Sequence, residues 1–261
     1  MELFIYFVYI EVFIVGLVVG SFLNVCIYRI PKGKSIVTPP SACPNCGNKI
    51  KPWHNIPVLS YLILRGRCAY CGAGISPRYP LIELLNALFY VAALYRFGLH
   101  PASFLMMVLI SAFIVVTFID LEHQIIPDGI TLPGIVLGLI LGPLVLRNPA
   151  IPWHTGFINS LIGMVVGGGI FYIIAVVSRG GMGGGDIKLI AMIGAFLGWK
   201  AVLLTIFVGS LLGAVVGIWL MVFKGMKRKT PIPFGPFLVA GAMAAIFCGP
   251  TFLNWYGNLA F

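Results

Sequence analysis

Asp120 and Asp186 are the residues of this chain best placed to do chemistry. The first closes an apolar run in Phe118-Ile119-Asp120-Leu121-Glu122-His123, and the second opens another in Gly183-Gly184-Gly185-Asp186-Ile187-Lys188. Two carboxylates a few ångströms apart cannot both ionise, so they hold one proton between them, with one member basic and the other acidic. The basic member can activate a water against a peptide carbonyl while the protonated one polarises that carbonyl. That is aspartyl proteolysis. The glycines before Asp186 would let an extended substrate backbone approach the carboxylate where a Cβ would obstruct it. A plainer alternative makes Asp186 the cap of the helix that follows and Gly183 to Gly185 a flexible connector.

A second constellation is made of cysteines. Cys43-Pro44-Asn45-Cys46 is followed, after 21 intervening residues, by Cys68-Ala69-Tyr70-Cys71. Each CxxC places two thiolates on one turn, and the chain between them can return the second pair to the first, which suits a tetrahedral zinc ion. Four protein ligands leave no position for water, so such a site is structural: it folds a loop too small to have its own core. Cys26 and Cys248 lie inside apolar runs, where a free cysteine behaves as a small hydrophobe.

The elements that must carry these groups are membrane helices. Hydrophobic residues make up 60% of the 261 positions and only 9% are charged, against about 45–50% apolar and 25% charged in soluble domains. A soluble globular domain, a disordered chain and a fibrous repeat are all excluded. Spans of about 20 apolar residues are expected near 2–28, 79–97, 102–120, 129–147, 156–178, 186–199, 200–224 and 234–256, the sixth being short and closed by Gly198, Trp199 and Lys200. Between the first two lies the one long polar stretch, Arg29 to Arg78. Of the 17 basic residues, 14 fall in the odd-numbered loops or at their edges, which puts those loops in the cytoplasm and both termini outside. Both aspartates then flank cytoplasmic loops, at one membrane face. Reducing conditions there favour zinc over two disulfides for the cysteine quartet. Glycines at four-residue spacing, such as Gly16/Gly20 and Gly163/Gly167, read as packing faces between helices.

Other residues carry weaker signals. Asp128, between Pro127 and an apolar span, reads as a helix cap. Glu122 and His123 read as polar loop residues, either of which could tune the aspartates. Glu83, near the cytoplasmic start of the second span, pairs with Arg78 or lines a substrate groove. The four histidines are dispersed without metal-ligand spacing. Gly181-Met182-Gly183-Gly184-Gly185 imitates a nucleotide-binding loop in letters, but no strand–turn–helix pattern surrounds it. The net charge of +10 is accounted for by cytoplasmic loop anchoring rather than by nucleic acid. Paired acids beside glycine-broken helices also suit a proton-coupled transporter, although these stand at helix ends and no inverted repeat is visible.

Taken in order, these motifs closely resemble those of the bacterial type IV prepilin peptidases, the prepilin leader peptidase/N-methyltransferases. The resemblance runs through Gly20-Ser21-Phe22-Leu23-Asn24-Val25-Cys26-Ile27-Tyr28-Arg29, the cysteine quartet, Asn55-Ile56-Pro57, Arg65-Gly66-Arg67-Cys68, Arg78-Tyr79-Pro80-Leu81-Ile82-Glu83, the Asp120 to Asp128 segment and the Gly-x-Gly-Asp at Gly183 to Asp186. It implies an inner-membrane, all-α, multi-pass aspartic endopeptidase. The expected organisation is a first transmembrane helix over 1–28, a cytoplasmic zinc-binding loop over 29–78 and a membrane peptidase core of about seven helices over 79–261. Asp120 and Asp186 fall on the family's catalytic positions. The substrates implied are prepilins and pseudopilins of type IV pilus and type II secretion systems, cut at the cytoplasmic face. N-methylation of the new terminus with S-adenosylmethionine rests on the resemblance alone.

Overall fold

The computed structural model describes residues 2–146, 156–179, 181–225 and 232–260, with side chains described as far as residue 249. Nine α-helices occur among them: α1 Glu2–Arg29, α2 Leu59–Ile63, α3 Arg78–Phe97, α4 Pro101–His123, α5 Asp128–Val145, α6 Phe157–Val177, α7 Gly184–Leu197, α8 Trp199–Lys224 and α9 Gly235–Ala260. The described residues form no strand, only two isolated bridges in the cysteine loop. The all-helical membrane architecture stands, and the long helices begin and end within a few residues of the expected spans.

Among the described residues, six helices (α1, α3, α4, α5, α6 and α8) are long and apolar enough to cross a membrane. α7, with 14 residues, is about 21 Å long, short of a bilayer core of about 30 Å. Every residue from Leu189 to Leu197 is buried, because α5, α6, α8 and α9 all pack against α7. The short helix is an interior one, and its apolar character serves protein contacts rather than lipid.

The chain forms two compact units, Met1–Val115 and Val116–Phe261. In the first, α1 and α3 touch backbone to backbone: a Cβ on Gly16 would lie 2.6 Å from Ala87 Cα, and one on Gly20 2.6 Å from Glu83 Cα. Close approach of this kind replaces the hydrophobic drive that lipid cannot supply. A polar chain completes the contact. Asn86 Nδ2 donates to the Gly16 carbonyl at 2.8 Å, Ser111 Oγ donates to Asn86 Oδ1 at 3.0 Å, and Tyr90 and Ser111 share a hydrogen bond of 2.9 Å. Each polar group is thereby satisfied where water is absent.

In the second unit, glycines do the same work around α7. A Cβ on Gly163 of α6 would stand 2.5 Å from the Gly194 carbonyl oxygen and 2.6 Å from Gly198 C, and one on Gly138 of α5 would meet Ala195 and Phe196 at 2.9 Å. Gly198 makes the tight link from α7 to α8 at φ +81°, a backbone region that costs glycine nothing. The crowded glycines hold α7 in place, and with it the residue at its amino-terminal end, Asp186.

Candidate active site and metal centre

Asp120 lies in the last turn of α4 and is buried. Its Oδ2 accepts the N–H of Gly235 at 2.9 Å. Gly235 is the first residue of α9, whose free amino-terminal N–H groups favour a carboxylate there. The approach is close: a Cβ on Gly235 would lie 2.7 Å from that oxygen.

Asp186 sits in the first turn of α7, where Gly183 in extended conformation is the N-cap residue. The Gly183 N–H donates to the Asp186 carboxylate, the acidic half of a capping box. Asp186 therefore serves the helix end as well as facing its partner, although it does not occupy the cap position. The structure brings the two aspartates together: their carboxylates interact electrostatically. Between them runs the α4–α5 connection. α4 stops where Gln124 takes φ +53° and donates its N–H to the Asp120 carbonyl. Ile126 then fills the space against both glycine-started helices, 2.8 Å from a Cβ placed on Gly185 and 3.2 Å from one on Gly235.

The Gly183-Gly184-Gly185-Asp186 pattern has a steric explanation. A Cβ on Gly183 would press on Asp186 Oδ2 at 3.1 Å, one on Gly185 would collide with Ile126, and one on Gly184 would meet nothing within 4 Å. The expectation that all three glycines leave room for substrate is thus narrowed. Two are filled by the protein's own packing, and only Gly184 opens on free space.

Asp128 corrects another expectation. It is the first residue of α5, but Pro127 is the N-cap and no side-chain cap bond forms. Instead both Asp128 oxygens accept from Lys188 Nζ, at 2.7 and 2.8 Å, tying α5 to α7. Glu122 and His123 are exposed at the end of α4. In the first unit Glu83 is buried, its Oε2 accepting the Val58 N–H at 2.7 Å, and it lines a cavity.

The four cysteine sulfurs lie within 4.8 Å of one another, and Cys43 and Cys71 Sγ are 3.9 Å apart. Four thiolates about 2.3 Å from a tetrahedral zinc would be separated by a little under 4 Å, so the donor set fits. The quartet is two copies of one turn. Cys43 N–H donates to Asn48 O at 2.9 Å and Cys68 N–H to Ala73 O at 2.8 Å, while Gly47 and Gly72 return N–H groups to Cys43 O and Cys68 O. Those glycines take φ +71° and +70°. Backbone N–H groups also aim at the sulfurs, and the one from Ala73 brings the Cys71 thiol down to about 6. The cluster is equipped to hold a metal ion with no open coordination position.

Residues 14–97 match the family model described as the Bacterial Peptidase A24 N-terminal domain, and residues 107–218 match the Type IV leader peptidase family. A prepilin leader peptidase/N-methyltransferase of Pseudomonas aeruginosa PAO1 is 36% identical, the alignment covering 95% of this chain and 92% of that relative. The chain belongs to the prepilin leader peptidase/N-methyltransferase family. Relatives of the same name are 38% identical in Xanthomonas campestris pv. campestris, over 94% of this chain and 93% of the relative, and 43% identical in Myxococcus xanthus DK1622, over 82% and 63%. No solved structure matches the chain. The cysteine quartet lies within the first family segment, and Asp120 and Asp186 lie within the second. Gly235, which bonds Asp120, lies beyond both; a glycine after a proline-rich stretch at a helix start was the available signal for it.

Proposed function

We propose that this chain is a multi-pass membrane aspartic endopeptidase that removes the leader from prepilins and pseudopilins and N-methylates the new amino terminus, with Asp120 and Asp186 as the catalytic pair. The observation that carries the reading is the meeting of these two carboxylates at the ends of α4 and α7, each steadied by a backbone N–H, from Gly235 and Gly183 respectively. Such main-chain donors hold both side chains without neutralising them. The ionised member takes a proton from water as the water oxygen attacks the scissile carbonyl, and the protonated member gives its proton to the carbonyl oxygen. Collapse of the tetrahedral adduct returns a proton to the leaving amine. Ile126 and the two close-packed glycines, Gly185 and Gly235, keep the oxygens in register for this exchange.

Cys43, Cys46, Cys68 and Cys71 would hold one structural zinc ion, whose part is to close the loop. S-adenosylmethionine would supply the methyl group. The bias of 14 in 17 basic residues toward one set of loops supports a bacterial inner-membrane location with the aspartates at the cytoplasmic face. The experiment is leader cleavage of a prepilin by purified protein and by its Asp120→Asn and Asp186→Asn variants, with product masses read in the presence and absence of S-adenosylmethionine. Each variant should lose cleavage while remaining folded in the membrane. Full cleavage by either variant overturns the pairing of these residues.

A further inference from the structure

The polar loop between α1 and α3 carries a patch that water does not favour. Its short helix, α2, has two faces. Ser60 is buried and Tyr61 half-buried beside it. Leu59, Leu62 and Ile63, at positions i, i+3 and i+4, share the opposite face, and they are 56%, 64% and 76% exposed. Trp53, just ahead of α2, is exposed as well. Four large apolar side chains grouped within eleven residues are more than the scattered surface hydrophobes of a soluble segment.

Hydrogen bonds set where this patch stands. Ser60 Oγ donates to the Trp53 carbonyl at 3.0 Å and accepts the Ile56 N–H at 2.9 Å, which locks the turn Pro52–His54 to α2. The Val58 N–H, one residue before α2, donates to Glu83 Oε2 at 2.7 Å. Glu83 is the sixth residue of α3, so at 1.5 Å per residue α2 begins within about 8 Å, along the α3 axis, of the point where α3 starts. In the same turns of α3, Leu81 and Leu84 are exposed. The patch therefore lies level with the apolar flank of a spanning helix, where headgroups give way to hydrocarbon.

The charges around the patch have one sign. From Arg29 to Arg78 the chain has eight Lys and Arg and no Asp or Glu. Lys51, Arg65 and Arg67, which flank the patch, are exposed, and Lys51 Nζ stands 5.3 Å from the centroid of the Trp53 ring. An apolar helix face, a tryptophan beside it and cations at its rim make the pattern of a helix lying in a membrane interface. The long stems of lysine and arginine cover apolar surface while their charged ends stay among polar groups. With no acid in the loop to answer these cations, the complement is a negatively charged lipid surface. We propose that the segment from Lys51 to Arg67 is an interfacial anchor on the leaflet from which α1 and α3 emerge. Leu59, Leu62 and Ile63 enter the acyl boundary, and Lys51, Arg65 and Arg67 meet the headgroups of anionic phospholipids. Cys68 follows Arg67 directly, so the anchor holds the cysteine cluster against the membrane surface. The proposal is independent of the catalytic reading.

The test places a photoreactive side chain on the patch of the full chain, as Leu62→p-benzoylphenylalanine. The protein is reconstituted in vesicles of equal parts phosphatidylcholine and phosphatidylglycerol, or of phosphatidylcholine alone, and irradiated. Adducts are identified by mass spectrometry. The same substitution at Leu88, an exposed residue further along α3, reports ordinary lipid contact. Phospholipid should be the main adduct at position 62 in the mixed vesicles, and its yield should fall about threefold or more without the anionic lipid. The yield at position 88 should be the same in both. Ile63→p-benzoylphenylalanine gives the same reading if the Leu62 variant does not accumulate. Adducts at both patch positions with peptides of residues 116–261 or with added prepilin, in place of lipid, overturn the anchor and make the patch a protein-docking face. Equal lipid yields in the two vesicles, or no lipid adduct while position 88 forms one, also overturn it.

Discussion

The contact between Gly235 and Asp120 makes a demanding test, because it separates catalytic geometry from stability. In a Gly235→Ala variant the new Cβ would lie 2.7 Å from Asp120 Oδ2, where ordinary contact begins at 3.4 Å, so the oxygen must retreat by about 0.7 Å. Ile126 Cδ1, at 3.2 Å from the same Cβ, closes one direction of escape. Misplacing a reacting group by about 1 Å costs on the order of 10²-fold in rate. A fall in kcat for leader cleavage of about 10- to 100-fold is therefore expected, equivalent to about 1.4–2.7 kcal/mol of transition-state stabilisation. KM should change little, since the leader's contacts are untouched. Stability should fall by no more than the overpacking cost of about 1–3 kcal/mol, read separately from kcat. The control is Gly129→Ala in the first turn of α5, where a Cβ meets nothing within 4 Å; its kinetics should match wild type. The assay is steady-state cleavage of a purified prepilin in detergent, paired with thermal unfolding. Wild-type kcat in Gly235→Ala, or equal losses in both variants, would refute the claim that this glycine positions Asp120.

Three other outcomes follow from features described above. Purified protein should carry about one zinc per chain by elemental analysis, and replacing Cys43 or Cys68 by Ser should remove it. Asp128→Asn should lower stability by less than about 1 kcal/mol and leave cleavage near wild type, since the Lys188 and Asp128 side chains are 38% and 56% exposed and solvent-screened pairs are worth little; a denaturation midpoint and a rate check this together. Gly194→Leu should prevent accumulation of folded protein, because the space at Gly194 is filled by the backbone of Gly163 and Met164, which cannot rotate away; membrane-fraction blots read the result.

Much of this architecture is written in hydropathy. Lipid demands long apolar runs, so α1, α3, α4, α5, α6 and α8 could be placed within a few residues, and the brevity of α7 showed in its closure by Gly198, Trp199 and Lys200. Acids are so rare in this chain that Asp120 and Asp186 stood out, and CxxC spacing exposed the quartet. What stayed hidden depends on direction rather than on residue type. The proline-rich stretch before Gly235 marks a helix start, but not that its N–H meets an aspartate 115 positions earlier. The same holds for Lys188, which reaches back 60 residues to Asp128 and takes the acid that a local rule assigned to helix capping. Glycine triplets look alike in letters, yet Gly184 faces open space and Gly185 faces Ile126. These distinctions arise only when helices are packed against one another.

The duplicated cysteine turn bears on how the loop assembles. Each half carries its own N–H···O bonds, Cys43 with Asn48 and Gly47, Cys68 with Ala73 and Gly72, so each can form locally before the other exists. Ion capture then needs one encounter of two ready-made halves instead of four separate side-chain arrivals. The entropy of closing the intervening chain, on the order of 3 kcal/mol for about 25 residues, is met in a single step.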